Sequence, residues 1–163
     1  MIILIEFTLK IRRIIPFRKL LQTLAKEELN VLNNKKMLSI YIHIPFCRTR
    51  CGYCDFNTYA GCEHLIEDYV DAVLTEITRF STRYSCDHPI HTIYFGGGTP
   101  TILPIGAFQK ILGAINSHFQ VLENAEISTE CNPENLNFNY AMGLQTVGFN
   151  RLSIGMQTVL KNE

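Results

Sequence analysis

The stretch "LSIYIHIPFCRTRCGYCDFNTYAG" (residues 38–61) runs a β-branched and aromatic segment directly into a loop that holds three cysteines, Cys47, Cys51 and Cys54. Its first seven residues have the composition of a buried strand. The residues beyond the loop decide the fold. Residues 62–84 set Leu65, Ile66, Tyr69, Val70, Val73, Leu74, Ile77 and Phe80 at helical spacing, opposite Glu67, Asp68, Asp71 and Glu76. "HTIYFGGG" (91–98) predicts a second strand that ends in glycines, and "PIGAFQKILGAINSHF" (104–119) a second helix with Pro104 near its start. "AEISTECN" (125–132) and "RLSIGMQ" (151–157) read as third and fourth strands, with a weaker helix between them over 134–147. Strand and helix alternating four times predicts an α/β fold: a parallel sheet with right-handed crossovers. The stretches "PFCRTRCGYC", "GGGTPT", "ECNP" and "GMQ" all fall at or just after strand C-termini. That is the end where α/β barrels and open sheets place their active sites.

Composition frames this reading. A chain of 163 residues, 47% apolar and 18% charged, suffices for one domain with a real core. Its net charge of zero conceals a break: residues 1–36 hold eight Lys/Arg against three Glu, a net of +5, so the remaining residues carry −5. Residues 1–36 are therefore expected to form a basic leader distinct from 37–163. "MIILIEFTL" is apolar before any positive charge and is interrupted by Glu6, unlike a secretory signal, and it is too short to span a bilayer. The residues after Pro16 have the pattern of an amphipathic helix that would lie on a membrane surface. The plainer reading is upstream sequence ahead of a start at Met37. With no transmembrane stretch elsewhere, a soluble, cytoplasmic protein is expected, with no nucleic-acid partner.

Six cysteines in a chain without a secretory signal do not suggest a disulfide framework. Structural zinc takes four closed ligands and commonly pairs of C-x2-C. Here one loop offers three thiols, and His43, a candidate fourth, lies on a strand that would point it away. A redox pair of Cys51 and Cys54 leaves Cys47 without a role. An iron–sulfur cube is held by cysteine thiolates; three from one loop would bind three irons and leave the fourth open to an outside ligand. Spacing alone leaves these readings side by side. Cys62, Cys86 and Cys131 read as structural, Cys131 as a small buried residue.

Beyond spacing, "YIHIPFC…C…CDFNTY", "YFGGGTPT", "ECNPE" and "GFNRLSIGMQ" together resemble the radical S-adenosylmethionine (SAM) superfamily. Within it they resemble the oxygen-independent coproporphyrinogen III oxidases and the HemW-type haem chaperones, over residues 38–163. The resemblance implies an incomplete radical-SAM (β/α) barrel of about four strand–helix units, since members of the family run to more than twice this length. It implies a [4Fe-4S] cluster on Cys47, Cys51 and Cys54, whose open iron chelates S-adenosylmethionine. Reductive cleavage of the sulfonium would then give methionine and a 5′-deoxyadenosyl radical. Carried over by position, Tyr41 and Tyr53 contact the cofactor, Tyr53 on the adenine side. Gly97 and Gly98 let backbone approach its methionine end, and Thr99 and Pro100 continue that match. Glu130 binds a cofactor hydroxyl, and Gln157 matches a glutamine assigned to a second cofactor molecule. Haem or porphyrin is the implied larger ligand. Haem-acceptor proteins and an electron donor such as flavodoxin or ferredoxin are implied partners. The oxidase branch carries a further cysteine where this chain has Phe56, and residues 1–36 lack an oxidase-like "YTSYP". "CDFNTYAG" has the chaperone-like form. These departures favour the chaperone branch over a coproporphyrinogen dehydrogenase, with a zinc or cluster module of purely binding role as the remaining class.

Overall fold

The structure is a computed structural model, and it describes residues 2–5, 37–84 and 88–156, the first of these as backbone only. The expected leader helix, Cys86 and Gln157 lie outside the described residues. In chain order the elements are β1 (Ile2–Ile5), β2 (Leu38–Ile44), the two-residue β3 (Phe46–Cys47) and β4 (Tyr59–Ala60), and α1 (Ile66–Tyr84). Then come β5 (Ile90–Gly97), α2 (Ile105–His118), β6 (Val121–Cys131), α3 (Phe138–Thr146) and β7 (Arg151–Ile154).

Five strands form one sheet in the order β1-β2-β5-β6-β7, and every pairing is parallel. Neighbours in space are therefore successive in the chain, apart from the small β3-β4 ladder. A doubly wound sheet reverses its order at a switch point. One that never reverses, with crossovers of one hand, puts its helices on one face, as a barrel does. Among the described residues the sheet is open, an α/β arc with no closed barrel.

Two-residue alternation separates the faces. Ile40, Ile42 and Ile44 of β2 and Ile93 and Phe95 of β5 are buried against Val70, Val73 and Ile77 of α1 and Phe108, Ile111 and Ile115 of α2. Phe95, Phe108 and Phe149 pack as a triangle of tilted and edge-on rings with centroids 5.1–5.3 Å apart, the favourable geometry for aromatic quadrupoles. The alternate positions are polar: Ser39, Tyr41 and His43 on β2, Tyr94 on β5, Glu126, Ser128 and Glu130 on β6. A parallel sheet apolar on both faces would show unbroken hydrophobic runs; this one has an oily outer face and a hydrogen-bonding inner one.

The helices follow their local signals. Glu67 and Asp68 occupy the first turn of α1 and Arg83 its last, matching the helix dipole. The weak helix expected over 134–147 divides in two. Pro133–Asn135 is a 3₁₀ turn with Asn132 accepting from the Glu134 amide, and α3 begins afresh after Asn137, which accepts from the Tyr140 amide at 2.9 Å. Asn150 then sets the entry to β7: its Oδ1 accepts from the Ile127 amide and its Nδ2 donates to the Ala125 carbonyl, replacing a ladder rung. Ile2–Ile5 adds a parallel strand beside β2 that the four-strand reading did not contain.

Candidate functional site

The cysteine loop is tied at its base from three sides. β3 and β4 pair in parallel, Phe46 beside Tyr59 and Cys47 beside Ala60, and the Tyr59 amide donates to Pro45 O at 2.7 Å. His43 Nε2 lies 2.9 Å from Asn57 O. A carbonyl can only accept, so Nε2 carries the proton, and in the neutral ring Nδ1 accepts from the Tyr41 hydroxyl at 3.0 Å. From α1, Tyr69 donates its hydroxyl to His43 O. Inside the loop, the Cys54 amide donates to Cys51 O and Arg50 to Cys54 O. The three thiols are free and graded in exposure: Cys47 buried, Cys54 half-buried, Cys51 exposed.

The glycine turn after β5 grips the first cysteine from behind. Gly98 N donates to Ile44 O and Thr99 N to Phe46 O, each at 2.8 Å. A Cβ on Gly98 would stand 2.6 Å from Phe46 O and 2.9 Å from Cys47 Sγ. Gly97 has φ +116°, and a Cβ there would lie 2.6 Å from the His43 ring. Both glycines are thus required by the chain's own packing, a different reason from the expected approach of backbone to a cofactor. Thr99 Oγ1 lies 3.7 Å from Cys47 Sγ, toward which it donates. Pro100 then opens a 3₁₀ turn, Pro100–Ile102.

On β6, Glu130 reaches across to the same turn. Its Oε1 accepts from the Tyr94 hydroxyl at 2.7 Å and its Oε2 from Gly97 N at 3.0 Å. Tyr94 stacks on Tyr41, centroids 5.9 Å apart. Burial, with Glu130 beside it, pushes the Tyr94 hydroxyl well above the usual phenol range. Cys131, next to Glu130 in the chain, is buried, and burial pushes that thiol up to about 11.

These pieces enclose a cleft of about 350 Å³, within the range of small-molecule sites. Cys47, Cys51 and Cys54 line one side, and Gly97, Gly98, Thr99 and Pro100 another. Glu130 and Tyr53 also face it. Tyr53 stands at the mouth, 82% exposed, and Cys51 beside it raises its hydroxyl above the ordinary value. Tyr41 is not in the cleft wall; it stands behind, bonded to His43 and stacked on Tyr94. Cys62 caps the turn before α1, its thiol toward Ala60 O. Phe56, 66% exposed, also lines the cleft. Tyr94 and Thr58 carry no mark in the sequence as site residues; Tyr94 was findable from register, because it pairs with Tyr41.

Among the described residues no three His, Cys, Asp or Glu side chains are already drawn into a metal-binding group. The donor set nevertheless suits an iron–sulfur group. Three free thiols face one cleft, Cys47 is fixed by backbone, and Cys51 and Cys54 ride on the span that must draw inward. The cradle also fits, since any side chain at Gly98 would displace the Cys47 sulfur.

Comparison with known proteins bears on the same residues. The radical SAM superfamily profile matches residues 41–162. The chain belongs to the radical SAM superfamily. Among curated relatives, the heme chaperone HemW of Mycobacterium tuberculosis is 38% identical over 124 residues, 74% of this chain and 31% of that protein. The oxygen-independent coproporphyrinogen III oxidase of Synechocystis is 36% identical over 132 residues, 79% of this chain and 28% of that one. The solved structure of the coproporphyrinogen III oxidase HemN from Escherichia coli, a radical SAM enzyme, superposes with a TM-score of 0.73 at 31% identity, covering 84% of this chain and 32% of that one. The chain thus spans about a third of the length of the relatives it matches. The likeness bears out an α/β sheet of the radical-SAM kind. No helix among the described residues is long and apolar enough to cross a membrane.

Proposed function

We infer that residues 37–163 are the N-terminal part of a HemW-like haem chaperone that binds a [4Fe-4S] cluster and S-adenosylmethionine, and that residues 1–36 are a basic leader ahead of it, of which Ile2–Ile5 joins the sheet as β1. The observation that carries the reading is the convergence of the three-cysteine loop, the glycine turn and Glu130 on one cleft. In it, Cys47, Cys51 and Cys54 hold the cluster. The Gly97–Pro100 turn and Glu130 receive the cofactor, with Tyr53 flanking its adenine. Tyr41 supports the pocket through His43 and Tyr94, and Gln157, outside the described residues, is the candidate for a second cofactor molecule. When bound, the cluster supplies the electron that cleaves the sulfonium. The chain's own groups hold the thiolates, orient the carboxylate and keep water from the buried wall. Haem or porphyrin is the larger ligand, and haem acceptors and a flavodoxin or ferredoxin are the fitting partners.

Phe56 favours the chaperone over the dehydrogenase, because the cleft wall there offers an apolar ring where that branch carries a thiol. The test is anaerobic reconstitution of the chain, followed by its visible spectrum and iron content, then haem binding and porphyrinogen turnover. A brown, oxygen-sensitive chromophore with haem binding and no turnover supports the chaperone. Turnover of coproporphyrinogen supports the dehydrogenase, and tight colourless zinc removes both.

A further inference from the structure

Thr58 is 6% exposed, and its side-chain oxygen is shut away from water without a hydrogen-bond partner. The residue nonetheless forms part of the wall of the cysteine cleft. A buried hydroxyl with no partner loses its water and gains nothing in return, so such groups are rare and call for a cause, an ion or group at a functional site among them. Relaxation of the loop does not relieve this one, because its backbone is fixed on both sides. Asn57 O is held by the His43 ring at 2.9 Å, and Tyr59 N by Pro45 O at 2.7 Å. Two residues further, Ala60 pairs with Cys47, which keeps Thr58 in register with the first ligand thiol. The Thr99 hydroxyl, also in the cleft wall, is already directed at Cys47 Sγ.

We propose that Thr58 is a tuning residue: its hydroxyl donates a hydrogen bond to a sulfur of the bound cluster, a ligand thiolate or an inorganic sulfide. The role rests on the assignment of a cluster to Cys47, Cys51 and Cys54. A hydrogen bond to sulfur stabilises the more negative, reduced form, and so raises the reduction potential. Thr58 thereby helps to set how readily the cluster accepts the electron it must pass on. The role belongs to the resting site and needs no contact with S-adenosylmethionine.

The experiment compares the full chain with Thr58→Val and Thr58→Ser after anaerobic reconstitution. Val exchanges the hydroxyl for a methyl of similar size, and Ser restores it. Iron per chain is measured first, then the midpoint potential by a titration followed by electron paramagnetic resonance, without and with S-adenosylmethionine. The expected result is full iron in all three, a more negative midpoint in Thr58→Val alone, and near-wild-type behaviour in Thr58→Ser. A Thr58→Val midpoint equal to wild type overturns the proposal, and a loss of S-adenosylmethionine affinity at unchanged midpoint reassigns the hydroxyl to the cofactor. If Thr58→Val fails to hold iron, the exchangeable-proton coupling to the reduced cluster in wild type decides. A coupling lost in deuterated buffer and kept in Thr58→Ser supports the role; its absence removes it. A wild-type chain that takes up no iron–sulfur cluster refutes the parent reading instead, and the first iron assay shows this.

Discussion

Cys47 illustrates how one atom's surroundings are set by residues far along the chain. Its sulfur is fixed by the β3-β4 ladder, faced by Thr99 Oγ1, and backed by a glycine with room for nothing larger than hydrogen. Replacing Cys47, Cys51 or Cys54 with Ala should strip most of the iron after reconstitution, whereas Cys62→Ala and Cys131→Ala should keep it; an iron assay on the five variants checks the ligand set. Gly98→Ala forces a methyl against Phe46 O and Cys47 Sγ, an overpacking worth about 1–3 kcal/mol. It should lower the urea midpoint and the iron content together. Glu130→Gln keeps an acceptor for Gly97 N but removes the charge that Tyr94 and the cleft share. S-adenosylmethionine binding should weaken about tenfold or more, the scale of a hydrogen bond to a charged group, at unchanged iron, as read by equilibrium binding. The three thiols and Glu130 were legible as candidates through the motifs that hold them, not through spacing alone. Thr58 was not, because a hydroxyl without a partner leaves no local pattern, and Tyr94 shows only through its register with Tyr41, since its bond to Glu130 spans 36 residues.

Periodicity served well for the elements that bury a face. β2 lies where its β-branched run predicts, and α1 and α2 begin and end within a few residues of their apolar stripes. β6 starts earlier than expected, at Val121, since its first four residues are mostly polar or half-exposed and pair only loosely, through a register break with β5. The two-residue β3 and β4 were invisible, as a ladder that short has no period to detect. The Phe95–Phe108–Phe149 triangle joins β5, α2 and the approach to β7. Phe108→Ala should therefore cost about 3–5 kcal/mol, more than a helix-face contact alone would, as measured by urea unfolding.

For the molecule as a whole, the polar inner face and the open β7 edge dominate behaviour in solution. Ile154 is 54% exposed and Leu152 only half-buried, on a strand with unpaired groups on its outer side among the described residues. This chain alone should self-associate on size-exclusion chromatography and cleave S-adenosylmethionine far more slowly than a full-length relative; a stable monomer with that relative's rate would show instead that these residues form a self-sufficient unit. Alkali should loosen the fold. Cys131 is raised to about 11 by burial, and burial also raises Tyr69, Tyr94 and Tyr140 above the ordinary phenol value. The unfolded chain gives up those protons first, the thiol from about 8.5 and the phenols from about 10. Stability is thus fully present below about pH 8.5 and falls as pH rises toward and beyond 11. A urea series across that window checks this, and Cys131→Ala should flatten its lower part. The matching of strand order to chain order has a further consequence, for biosynthesis. On a ribosome, the thiols of Cys47, Cys51 and Cys54 emerge before the Gly97–Gly98 turn that clamps the first of them, and Glu130 emerges later still. A nascent chain therefore presents three loose sulfurs, then a grip, then a carboxylate. The pocket matures in the order of translation, and any metal met too early is met by an unfinished site.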